Sequence, residues 1–181
     1  MSVIHYYNIW SINSKDKKVI IQGFGNVGGP TAFYLAQAGF KIVGITDRDG
    51  GLISENGFNF EEVKQIIRAR KNNLITHENK LNMDNLNSRL WNTPTDVFIP
   101  AAGSRLVGKE ILEPMIKNNL ELISCGANVP FKDEEIFLGE NALYADENVS
   151  IIPDFIANCG MARVFAYLMQ ENVQLTDEAI F

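Results

Sequence analysis

Six consecutive residues, Gly23-Phe24-Gly25-Asn26-Val27-Gly28, carry the strongest chemical signal in the chain. This Gly-x-Gly-x-x-Gly run follows a β-branched stretch, Val19-Ile20-Ile21, and precedes Ala32, Leu35 and Ala36, which are spaced as one helix face. In a unit of strand, tight turn and helix each glycine has a task. Gly23 makes the turn, Gly25 lets the backbone approach a pyrophosphate, and Gly28 lets the helix pack closely on the sheet. The helix N-terminus behind the turn offers unpaired N–H groups and the positive end of its dipole to phosphate oxygens. The chemistry implied is the holding of a dinucleotide. In a chain with 14 glycines the spacing alone is weak, and a sharp turn in a ligand-free α/β domain would use the same residues. Its place between strand and helix gives it weight.

Asp47 lies 19 positions beyond Gly28, at the end of a second apolar run, Ile42-Val43-Gly44-Ile45. An acidic side chain about 20 residues after the glycines accepts hydrogen bonds from the adenosine ribose and repels a 2′-phosphate, so Asp47 points to NAD. Arg48 is the opposite signal, because a guanidinium pairs with a 2′-phosphate; NADP is therefore the alternative cofactor. Three further stretches fall where strands end: Pro100-Ala101-Ala102-Gly103, Cys125-Gly126-Ala127-Asn128, and residues 153–160, which include Asn158. In open α/β sheets ligands bind outside the carboxyl ends of strands, where small residues and an amide side chain suit a cofactor wall. As turn formers alone they would be ordinary. No metal ligand set is read, since His5 and His77 are far from each other and from any cysteine or acid cluster with ligand spacing.

The elements that must position these residues alternate along the chain. Residues 1–17 mix Tyr6, Tyr7 and Trp10 with polar residues in no clear period, and stand as an unassigned leader or linker. After the second strand, Asp49-Gly50-Gly51 turns the chain away, and Asn59 with Glu62 opens a helix whose inner face is Val63, Ile66 and Ile67. Residues 71–95 are rich in asparagine and read as loop with one short strand and one short helix. Val97-Phe98-Ile99 resumes the strand pattern, Val107, Ile111, Leu112 and Met115 form a helix face, and residues 120–123 form a further strand. A short helix at 134–138, a strand at 149–152, a helix at 162–170 and a helix start at Thr176 complete the reading. Repeated strand-helix-strand units with fully apolar strands predict an α/β fold of Rossmann type, doubly wound, with a mostly parallel sheet and helices on both faces. Residues 18–181 make one dinucleotide-binding domain.

Bulk properties agree with that reading. The 181 residues carry a formal charge of −6 with no basic stripe, which argues against nucleic acid as a partner. No apolar run approaches the roughly 18 residues of a membrane span. Cys125 and Cys159 stand alone, without CxxC spacing or a signal-peptide pattern before them, as in a reduced cytoplasmic protein.

Five segments together resemble the coenzyme domain of the glutamate/leucine/phenylalanine/valine dehydrogenases: GFGNVG from Gly23, DRDGGLI from Asp47, DVFIPAAG from Asp96, CGANVPF from Cys125 and IPDFIANCG from Ile152. They occur in family order and span nearly all of residues 18–170. The resemblance implies that Phe24, Asn26 and Val27 line the pyrophosphate turn and that Asp47 and Arg48 flank the adenosine ribose. It places Ala101 and Ala102 along the cofactor groove, and Asn128 and Asn158 near the nicotinamide ribose and amide. The implied reaction is reversible oxidative deamination of an L-amino acid to a 2-oxo acid and ammonia.

The departures are as informative. The family's substrate domain comes first and supplies a catalytic lysine and aspartate; residues 1–17 hold no counterpart, so no catalytic residue is assigned and the chain by itself is expected to be inactive. It resembles a domain excised from a homo-oligomeric parent, which would meet its amino-acid substrate only with the missing domain. Phe165 stands where glutamate-specific members often place serine, which implies an apolar substrate side chain. A stand-alone NAD sensor without catalysis, and an α/β domain for another nucleotide such as an S-adenosyl compound, are the rival readings.

Overall fold

A computed structural model describes residues 2–135 and 139–176. In chain order the elements are α1 (Ser2–Ile9), β1 (Lys18–Gln22), α2 (Gly28–Gln37), β2 (Lys41–Asp47), β3 (Gly50–Phe58), α3 (Phe60–Ala69), β4 (Leu81–Asn82) and α4 (Met83–Leu90). They continue with β5 (Val97–Pro100), α5 (Lys109–Lys117), β6 (Leu122–Ser124), α6 (Glu140–Asn148), β7 (Ser150–Ile152), α7 (Asp154–Ala157) and α8 (Gly160–Leu168). The strands form one sheet in the order β4-β3-β2-β1-β5-β6-β7. β1 pairs in parallel with both β2 and β5, and β5-β6-β7 continue in parallel, while β3 and β4 are antiparallel. From β1 the chain winds one way to β2 and the other way to β5, so the winding reverses between β1 and β5. At such a reversal the connections diverge above and below the sheet and leave a crevice at the carboxyl ends of the strands.

Alternation along the central strands explains why helices cover both faces. Val19 and Ile21 of β1, with Val97 and Ile99 of β5, face a core that includes α1, α2 and α3 residues such as Leu35 and Val63. Ile20 and Phe98 face the opposite core, built with Leu86 and Leu90 of α4 and Leu112 and Met115 of α5. Successive strand residues point to opposite faces, so a strand buried on both sides reads as an unbroken apolar run. The capping box expected at the start of α3 is present: the Asn59 side chain accepts from the Glu62 amide, and the Glu62 carboxylate accepts from the Asn59 amide.

The structure differs from the sequence reading at both flanks of the sheet. The Asp49-Gly50 turn does not carry the chain away from β2; it folds β3 back along it, with Asp47 opposite Gly50. The opening residues form α1, which docks on the sheet through Val3 and Tyr7, both buried. Tyr7 stacks at a tilt on Phe40, its ring centroid 5.9 Å away, and its hydroxyl donates to Glu121 Oε2 at 2.9 Å. Burial, then that carboxylate, push the phenol above its ordinary titration range. Replacing Tyr7 by phenylalanine removes the hydrogen bond and keeps the ring, so a urea melt is expected to show a loss of about 1 kcal/mol, moderated because Glu121 is partly solvated. The helix expected at 134–138 lies partly outside the described residues; Glu134 and Glu135 bend, and α6 begins at Glu140. The helix expected from Thr176 falls on 177–181, also outside them.

Candidate functional site

The glycine run sits at the sheet's reversal, between the end of β1 and the start of α2. Gly23 has φ +95°, in the left-handed region that glycine adopts without cost, and its amide donates to the buried Thr46 Oγ1 at 3.1 Å. A Cβ on Gly28 would fall on the carbonyl oxygen of Gly23, so the helix can approach the turn only with glycine there. Gly25 is different: nothing lies within 4 Å of where its Cβ would be. The space beside it is the cleft. Arg70, just past the end of α3, braces the turn from behind, donating from one guanidinium nitrogen to the carbonyls of Phe24 at 3.3 Å and Gly25 at 3.0 Å. Those carbonyls are thus held on the Arg70 side. Val27 takes the N-cap position of α2 without a side-chain cap; the Gly29 amide donates to the Gly25 carbonyl at 3.0 Å and Pro30 has no N–H, so the Gly28 amide is the helical donor at this end without a side-chain acceptor.

A cleft of about 940 Å³ opens over this turn. The glycine run forms one side, Ala101, Ala102 and Gly103 after β5 form another, and Asp47, Arg48, Asn72 and Asn73 close the far end. The amide of Ala101 donates to the Gln22 carbonyl at 2.8 Å, locking the two strand ends that flank the reversal. The volume lies near the top of the roughly 300–1,000 Å³ typical of small-molecule pockets, which suits an extended dinucleotide. Phe24 lines the cleft through its backbone, since its ring is buried in the core, whereas Asn26 and Val27 are exposed.

Asp47 is placed at the predicted end of β2, with partners the sequence did not foretell. Its Oδ1 accepts from the Asp49 amide at 2.8 Å, and its Oδ2 accepts from the Ile75 amide at 2.6 Å and from Lys80 Nζ at 2.7 Å. The carboxylate side chain is only 2% exposed. Arg48 beside it is 75% exposed, with Asp49 Oδ1 3.8 Å from its Nε. Asn72 and Asn73, both at positive φ, make the two-residue turn that closes the Lys71–Leu74 bridge and brings Leu74 to the cleft.

The remaining candidates gather at the other end. Asn158 Nδ2 donates to Asn128 Oδ1 at 2.5 Å, joining the loops after β6 and β7. Asp154 ties the same loops, its Oδ2 accepting from the Val129 amide at 2.8 Å. Val129 has φ +45°, an uncommon conformation for a β-branched residue and of the kind that gathers at ligand sites. Neither asparagine is among the residues lining the 940 Å³ cleft, and neither is Phe165, which is 58% exposed on α8. Cys125 is buried at the end of β6, and burial, with Asp154 nearby, pushes its thiol up to about 12, so it stays protonated and unreactive at neutral pH. Among the described residues no helix is long and apolar enough to cross a membrane, and no group of three or more His, Cys, Asp or Glu is placed to hold a metal ion. Sequence reasoning missed Thr46, Arg70, Asn72, Asn73 and Lys80, whose roles depend on contacts between distant segments.

A family model described as Glutamate/Leucine/Phenylalanine/Valine dehydrogenase matches residues 2–180. The NADP-specific glutamate dehydrogenase of Saccharolobus shibatae is 33% identical over 143 residues, which is 79% of this chain and 31% of that protein. The cryptic catabolic NAD-specific glutamate dehydrogenase GudB of Bacillus subtilis is 27% identical over 164 residues, 90% of this chain and 35% of that protein. The chain therefore spans about a third of the length of the curated relatives it matches. Plasmodium falciparum glutamate dehydrogenase 2 shares the fold with a TM-score of 0.71 at 23% identity, over 88% of this chain and 35% of that one. The hetero-hexameric glutamate dehydrogenase of Thermus thermophilus does so with a TM-score of 0.68 at 14% identity, over 87% and 34%.

Proposed function

This chain belongs to the glutamate/leucine/phenylalanine/valine dehydrogenase family, and we propose that it is the coenzyme domain of an amino-acid dehydrogenase, holding NAD in the cleft over residues 23–28. The observation that carries the reading is the pairing of a helix N-terminus that has no side-chain cap with Gly25, whose missing side chain leaves the cleft open at the point where a pyrophosphate must approach. Asp47 favours a free ribose hydroxyl. Three donors fill most of its roughly four lone-pair directions, and Oδ1 keeps room for one more, which a 2′-hydroxyl supplies and a 2′-phosphate dianion does not.

The reaction is the reversible oxidative deamination of an L-amino acid, with the coenzyme taking the hydride when bound. This domain binds and orients the coenzyme; the Asn128–Asn158 pair is assigned to its nicotinamide end, and the proton-transfer groups come from a second domain. Among the described residues no lysine lines the cleft, whereas iminium chemistry needs a base or acid within hydrogen-bond reach of the amine. The second domain docks where α7 and α8 expose Phe155, Met161 and Phe165, an apolar face larger than an isolated surface residue explains. Phe165 offers no donor to a γ-carboxylate, which favours an apolar substrate side chain at that junction. Two free cysteines suit the reducing cytoplasm.

The test is to mix the purified chain with NAD and a panel of L-amino acids that includes glutamate and leucine, and to follow NADH absorbance. No rate above buffer is expected. A saturable rate that Gly25→Val abolishes would place a complete active site within these residues.

A further inference from the structure

Asp47 and Arg48 line one end of the cleft, and each has a charged partner behind it, Lys80 for Asp47 and Asp49 for Arg48. Asp47 and Lys80 are the buried pair, 2% and 19% exposed, with 2.7 Å between Nζ and Oδ2. The fold holds the lysine in place. Its amide closes a turn on the His77 carbonyl, and the next residue begins β4, where Leu81 pairs with Gly51 and Asn82 with Gly50. Gly50 in turn sits opposite Asp47 across the β2–β3 pair, so the antiparallel extension delivers the ammonium to the end of β2.

We propose that Lys80 sets the coenzyme selectivity of this site by offsetting the Asp47 carboxylate, so that the preference for the unphosphorylated dinucleotide is weaker than a bare carboxylate would impose. This rests on the reading of the cleft as a dinucleotide site. A bare carboxylate at the end of β2 repels a 2′-phosphate, and that repulsion is the usual basis for excluding it. A carboxylate bound to an ammonium presents a dipole, whose field falls off faster with distance than that of a charge. The exposed Arg48 guanidinium is free to swing toward an added phosphate, because its contact with Asp49 is long and solvated. Lys80 itself is not among the residues that line the cleft; it acts through Asp47.

The test compares dissociation constants for NADH and NADPH, by fluorescence titration of the full chain, in the native protein and in Lys80→Met, Lys80→Arg, Asp47→Asn and the double variant Asp47→Asn/Lys80→Met. The two ligands differ only at the 2′ position, so a loss of stability or loop order weakens both and leaves their ratio unchanged. Lys80→Met unmasks the carboxylate and is expected to raise the NADPH-to-NADH ratio of dissociation constants by about tenfold or more. Lys80→Arg should keep the native ratio, and the double variant, which removes both charges, should return to it. Asp47→Asn leaves the ammonium unopposed and should lower the ratio, which keeps the proposal testable should Lys80→Met fail to fold. Ratios that stay native in Lys80→Met and in Asp47→Asn, with both coenzymes still binding, would overturn the role of Lys80. Failure of the native chain to bind either coenzyme would instead overturn the dinucleotide reading.

Discussion

Gly25→Val is expected to abolish coenzyme binding while leaving the fold intact. Apart from its own chain neighbours, no protein atom lies within 4 Å of the position its Cβ would take, so the new side chain meets the space of the cleft. The melting temperature should shift by no more than about 2 °C, as for a surface substitution in a domain of this size. Affinity should fall by about 100-fold or more, because a branched side chain there keeps the phosphates from the backbone amides of the glycine turn and the helix start, and hydrogen bonds to charged groups are worth about 1.5–3 kcal/mol each. The neighbouring glycines behave differently. A Cβ on Gly23 would lie 2.6 Å from Ala102 Cα and 2.7 Å from its nitrogen, at a φ that side chains avoid, and one on Gly28 would overlap the Gly23 carbonyl. Alanine at either position should therefore lower the melting temperature. A Gly25→Val protein that binds NADH with native affinity would remove the turn from the site.

Asp47→Ala carries the largest expected cost in stability. It would leave the Lys80 ammonium without its counter-ion in a setting where only 19% of the side chain meets solvent, and the amide of Ile75 without its acceptor. Breaking a buried pair by removing one partner typically costs about 3–5 kcal/mol, and the lower end applies because Lys80 retains some access to water. Chemical denaturation should thus show a loss of about 3 kcal/mol, well beyond that of Tyr7→Phe. Coenzyme binding should weaken too, since the 72–74 turn that Asp47 anchors through Ile75 is part of the cleft wall. A loss below about 1 kcal/mol would class the pair with solvated surface bridges.

What the sequence made legible was local. The glycine run, the apolar strands and the capping box at Asn59 and Glu62 each complete their meaning within a few residues, and the structure places them as read. β3 escaped because its nine residues, Gly50–Phe58, include three glycines, a serine, a glutamate and an asparagine, and show no alternation of buried and exposed positions. α1 escaped because only Val3 and Tyr7 of its eight residues are buried. Its attachment comes partly from a hydrogen bond between residues 114 positions apart. The location of Asp47 was readable from its spacing to Gly28, but its three partners were not, for Lys80 lies in the weakly patterned 71–95 stretch and arrives only through the β3–β4 pairing. Asn128 and Asn158, in contrast, follow parallel neighbours β6 and β7, so a doubly wound reading already brings their loops together.

The most direct measurement of the central claim is a titration of this chain with NADH, followed by the change in nicotinamide fluorescence and repeated with Gly25→Val. A single saturable site that NAD displaces, and that the variant lacks while its melting curve stays native, is the predicted result. A native chain that folds yet shows no saturable binding, or binding that Gly25→Val leaves unchanged, would contradict it.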